Sequence, residues 1–123
     1  MLIRLELPLI PISRNSLDSM HWRARHRAAR EWAEAVMVAK AQAKAWGPAM
    51  TRCKVMIEIS HTGHGILDED NLWGGLKYLF DALVKNGLIT DDNDQVIIER
   101  GLLRIRVASK NQHRTIVKIT AVN

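Results

Sequence analysis

The chain has 123 residues, 47% hydrophobic and 25% charged, with a net charge of +5. That length closes one hydrophobic core without disulfides or a structural metal, so a single domain spanning 1–123 is expected, and a disordered or fibrous chain is excluded. The single cysteine, Cys53, has no partner for an internal bridge, which fits a reducing cytoplasm.

Arg4 and Glu6 interrupt the apolar opening and no small-residue cleavage site follows, so export is not expected. No run approaches the roughly 18 apolar residues that span a bilayer. The charge is unevenly divided. Eight of the thirteen acids fall between Asp68 and Glu99, where only Lys77 and Lys85 oppose them, so that window carries −6 and the remainder +11. A basic body suits a polyanion such as nucleic acid, and an acidic nest within it suits a cation. A solvated acidic loop beside a basic face would give the same balance.

In chain order, Ile3, Leu5 and Leu7 alternate with Arg4 and Glu6, which predicts a half-buried strand ended by Pro8 and Pro11. From Asp18 the pattern turns helical: Ala28, Trp32, Ala35, Val36, Ala39, Ala43 and Trp46 recur at three- and four-residue spacing until Gly47-Pro48. Val55, Ile57 and Ile59 predict a second strand, leading into His61-Thr62-Gly63-His64-Gly65. A second helix follows, with Leu72, Leu76, Leu79, Phe80 and Leu83 on its apolar face, Asp70 or Asn71 as cap, and Asn86-Gly87 as stop. Leu103, Ile105 and Val107, then Val117, Ile119 and Ala121, predict two last strands, with Ser109 to Gln112 as a hairpin link and Gly101 a candidate bulge. The order β-α-β-α-β-β predicts a two-layer α+β domain with helices on one sheet face.

Asp68 and Asp70 stand two apart in an extended approach to the second helix, so both carboxylates can point the same way. Asp91-Asp92-Asn93-Asp94 follows the Gly87 turn. Hard cations such as Mg²⁺ take oxygen ligands of this type, usually one or two carboxylates with water and phosphate completing the shell. Clustered carboxylates repel one another unless a cation intervenes. A bound metal would activate water and stabilise charge developing on a phosphate. The structural alternative makes Asp70 or Asn71 a helix cap and Asp91 to Asp94 a solvated turn.

Lys77 lies seven residues beyond Asp70, roughly 10 Å along a continuous helix and on the same face, with Gly74 leaving space between them. Its structural alternative is an exposed ion pair with Asp81. Gly74-Gly75 could instead mark an irregular helix start.

The pattern Asp68-x-Asp70-Asn71-Leu72, Lys77-x-x-x-Asp81-Ala82-Leu83, Gly87, Asp91-Asp92 and Gln95-Val96 resembles the RusA-like Holliday junction resolvases. Pro11-x-Ser13-x-Asn15 is similar to that family's early element, more faintly. The resemblance implies Asp68, Asp70 and Asp92, with Asp91 as a further candidate, as carboxylates binding Mg²⁺ or its substitute Mn²⁺. It implies Lys77 as the essential lysine. It also implies a homodimer nicking four-way DNA junctions in a bacterial cytoplasm, as a host or phage protein. One departure is that the family pattern places the lysine four residues after the second aspartate, whereas here Trp73-Gly74-Gly75 resembles a three-residue insertion.

Arg23, Arg25, His26, Arg27 and Arg30 form a basic run suited to phosphate contacts, and Arg104, Arg106, Lys110, His113 and Arg114 add a second basic surface. Trp22 and Trp73 could stack on exposed bases, or serve as core or dimer contacts. His61-x-x-His64 lacks the further ligands of a zinc site. A non-catalytic basic DNA-binding dimer, or a nuclease acting on flaps or forks, fits the same residues.

Overall fold

Period-two burial defines the sheet. In the computed structural model, which describes residues 1–12, 14–63 and 69–123 and gives Arg14, Asn15 and Glu69 by their backbone alone, β1 (Leu2–Leu7) buries Ile3, Leu5 and Leu7. β2 (Cys53–His61) buries Cys53, Val55, Ile57 and Ile59, and β4 (Arg114–Ala121) buries Thr115, Val117 and Ile119 on the same side. With β3 (Ile97–Arg106) they form one mixed sheet in the order β1-β4-β2-β3, parallel only between β2 and β3. The protein is α+β, as its order of elements predicts.

Two expectations about the last strands fail. Ser109 to Gln112 is not a hairpin link, because β2 lies between β3 and β4. The connection crosses the end of β2 through a short 3₁₀ turn at Lys110–Gln112, capped by Ser109. The facing of β3 is also inverted. Cys53 pairs with Ile97 but Lys54 pairs with Glu99, so the irregularity falls at Ile98 and not at Gly101. Val55, Ile57 and Ile59 then pair with Arg100, Leu102 and Arg104, which puts those residues on the helix side, while Leu103, 55% exposed, and Ile105 face outward. Alternation shows that a strand has two unlike faces, but pairing register decides which one turns inward.

Each predicted helix is broken in two. The first becomes α1 (Arg14–Ser19) and α2 (Trp22–Gln42), divided where the His21 side chain accepts the Arg23 N–H at 3.2 Å. α2 ends before Gly47: Lys44 takes φ 53°, its N–H donates to the Ala41 carbonyl, and Ala45 N–H donates to that of Lys40. Ala43 and Trp46 therefore leave the apolar face, and Trp46 is 67% exposed. Ala28, Trp32, Val36 and Ala39 form the face that remains buried, where Trp32→Ala would cost roughly 3–5 kcal/mol.

The second predicted helix becomes α3 (Glu69–Gly75) and α4 (Lys77–Lys85), hinged at Leu76. Asp70 and Asn71 lie inside its first turn and not at its cap. The hinge accommodates a close approach, since a side chain on Gly75 would collide with the Ile12 carbonyl. α4 packs along α2, and Asn86 fastens the pair: its Nδ2 donates to the Ala33 and Ala82 carbonyls, and Lys40 Nζ donates to its carbonyl at 2.6 Å. No helix among the described residues is long and apolar enough to cross a membrane.

Candidate functional site

The hinge changes the geometry of the acidic region. Lys77 is the first residue of α4, not a residue two turns down one continuous helix from Asp70. Asp70 stands exposed in the first turn of α3, where a negative charge suits the helix dipole. Asp68, Ser13 and His64 lie outside the described residues.

Lys77 and Asp92 both act electrostatically on Asp81. Partial desolvation pushes the carboxyl of the exposed Asp81 above its ordinary range, Lys77 one turn earlier pulls it down, and Asp92 raises it again. The loop after α4 thus places Asp92 close enough to act on α4. Arg100 holds the loop there: its guanidinium donates to the Asp92 carbonyl at 2.5 Å, lies 3.7 Å from the Asp94 carboxylate, and covers the Phe80 ring at 4.9 Å.

The loop assigns its acids different work. Asp91 accepts the Asp92 N–H at 2.7 Å and Asn93 Nδ2 at 3.1 Å, so both its oxygens serve the turn. Asn93 Oδ1 accepts from the N–H groups of Gln95 and Val96. Asp91 is a turn-former, leaving Asp92 as the loop's carboxylate toward α4. Among the described residues no three histidine, cysteine or acidic side chains converge as a metal cage. Asp81 and Asp92 are carboxylates, the donor type that Mg²⁺ supplements with water and phosphate.

Asp81 and Arg100 were not picked out as site residues from sequence. Asp81 reads as an ordinary i,i+4 partner of Lys77, and the role of Arg100 depends on the shifted β3 register.

A groove of about 410 Å³ runs between α2 and α4, lined by His26, Arg30, Tyr78, Asp81 and Lys85 among others. Two smaller cavities extend it past Arg25 and Lys77 toward Trp22. Of the basic run, Arg30 lines the groove and Arg25 its two extensions, whereas Arg23 lies over the Trp22 ring and Arg27 is exposed. A larger cavity of about 590 Å³ occupies α2's other flank, lined by Glu6, Glu31 and Glu34 together with His113 and Arg114.

The second basic surface is divided. Arg104 and Arg106 lie on the helix side near His61; burial, then His113, Arg104 and Arg106, pull that imidazole below its ordinary value. Arg114 faces outward and meets Glu6 at 2.9 Å. Lys110 is exposed in the 3₁₀ turn. His113 Nε2 accepts the Thr62 N–H at 3.1 Å, so its role here is structural. Lys118–Glu58 and Lys54–Glu99 pairs continue across the outer face, leaving it charge-matched and not basic. Trp73 stacks on Phe80 at 6.5 Å and is half-buried, whereas Trp22 stands exposed.

Compared with protein-family models and with characterised proteins, the chain matches none.

Proposed function

We propose that this protein is a metal-dependent, structure-selective DNA endonuclease of the RusA-like kind, acting on four-way junctions. The observation that carries the reading is the Asp81 carboxyl, acted on by both Lys77 and Asp92, at the groove that His26, Arg30 and Lys85 line and that Arg25 and Lys77 extend. Cations along a groove attract a phosphate backbone without reading its sequence, and carboxylates at one side supply the oxygen donors that hydrolysis of that backbone requires. Asp70 and Asp92, with Asp68, would hold Mg²⁺ or Mn²⁺, and Asp81 adds a carboxylate whose proton affinity is already raised. The metal, when bound, supplies an activated water and charge stabilisation on the phosphate.

The chain's own groups do the rest. Lys77 offers a cation for a phosphate oxygen, and Arg100 keeps Asp92 in place. Paired nicks across a junction call for two active sites, hence a homodimer.

Labelled four-way junction, fork, flap and linear duplex, each incubated with Mg²⁺, Mn²⁺ or EDTA, test this reading. The proposal expects metal-dependent nicking, strongest on the junction. Cleavage mainly of flaps or forks would reassign the substrate, and binding without cleavage in either metal would make the protein a non-catalytic DNA binder.

A further inference from the structure

The cleft where α2 begins carries chemistry that phosphate binding alone does not use. Trp22 is 59% exposed, too open for a core residue, yet its ring is braced on several sides. The Arg23 guanidinium lies 5.4 Å from the ring, His21 is tilted against it at 5.6 Å, and His26 meets it edge-on at 5.6 Å. Below it a cavity of about 280 Å³ is lined by Arg25, His26, Ala29, Lys77 and Tyr78.

Arg25 supplies a second, independent observation. Its Nη2 donates to the Asp18 carbonyl at 2.8 Å, which anchors the side chain on α1. Its Nε is buried and meets no acceptor among the described residues. A buried donor that meets no acceptor among the described residues can take one that a ligand brings. Arg25 walls both this cavity and its neighbour of about 360 Å³, where Trp73, Gly74 and Lys77 also lie. A braced, exposed aromatic ring flanked by cations is the combination with which proteins hold single strands, the ring taking the base and the cations the backbone.

We propose that this cleft takes one unpaired nucleotide of a DNA strand, with its base on the face of Trp22, an acceptor group of that nucleotide on Arg25 Nε, and its phosphate against Lys77. The proposal rests on the nuclease reading and deepens it. At a four-way junction that nucleotide is one unpaired at the branch point when the protein binds, and Trp22 holds its base.

The test compares binding of a short oligothymidine with binding of an abasic oligomer of equal length and charge, in EDTA, for wild type, Trp22→Ala and Trp22→Phe. Wild type is expected to favour the base-bearing strand by roughly fivefold or more, the low end of what one aromatic stack contributes. Trp22→Ala should remove that preference while leaving abasic affinity unchanged, and Trp22→Phe should keep part of it. Equal wild-type affinity for the two strands, or equal weakening of both by Trp22→Ala, overturns the stacking proposal while leaving phosphate binding intact. If neither strand binds, this proposal fails, while the nuclease reading is decided separately by binding and nicking of the four-way junction.

Discussion

Arg100 lies over the ring of Phe80 at 4.9 Å and from there donates to the Asp92 carbonyl, so one side chain of β3 ties the acidic loop to α4. Arg100→Met should therefore cost about 1–2 kcal/mol, from a cation–π contact and a charge-assisted hydrogen bond together, and should lower cleavage by releasing Asp92. Urea denaturation and nicking assays check both effects. Asp94→Ala, at the fully exposed end of the 3.7 Å pair, should leave stability unchanged.

The Asp81 carboxyl sets a pH dependence. Burial first, opposed by Lys77 and aided by Asp92, raises its folded-state pKa above the unfolded value. Between those two values the folded protein holds a proton that the unfolded chain has released, so stability falls as pH rises through that window and stays lower above it. Asp81→Asn removes this penalty. It should be more stable than wild type at neutral pH and lose that advantage in acid, as denaturant midpoints at the two pH values would show.

Two helix ends share one geometry with different residues. Lys44 and Gly87 both take positive φ, at 53° and 72°, and both are followed by the 6→1 and 5→2 bonds of a left-handed helix stop. Lys44→Gly should stabilise by about 0.5–1 kcal/mol and Gly87→Ala should destabilise by about 1 kcal/mol, because only glycine adopts that region without a Cβ penalty. Thermal denaturation of the two variants measures the pair.

Local pattern carried β1, β2, the buried stripe of α2 and the α+β class, because burial at period 2 or 3.6 is written in neighbouring residues. Pairing is not. The insertion of β2 between β3 and β4 joins Cys53 to Ala121 and Ile97, and nothing near those residues in sequence announces it. The Ile98 irregularity then reversed the apparent inside of β3. Trp46 kept helical spacing but fell beyond a stop formed by a lysine, where glycine is the usual sign. Of the groups that act on Asp81, Lys77 and Asp92 were legible as residue types at suggestive spacing. Asp81 and Arg100 were not, since their roles depend on the Leu76 hinge and on strand register.

The hinge has its own test. Gly75→Ala puts a methyl group into the Ile12 carbonyl and against Pro11, backbone and ring atoms that cannot swing aside. The variant should lose about 1–3 kcal/mol, typical of overpacking, and show a correspondingly lower melting temperature.

The most direct test of the central claim is nicking of a labelled four-way junction in Mg²⁺ and in EDTA by wild type and by Asp92→Asn, with junction binding measured alongside. Product in Mg²⁺ alone, lost in Asp92→Asn while binding persists, is the predicted result. Junction binding by wild type with no product in any metal, or cleavage by Asp92→Asn at the wild-type rate, would contradict it.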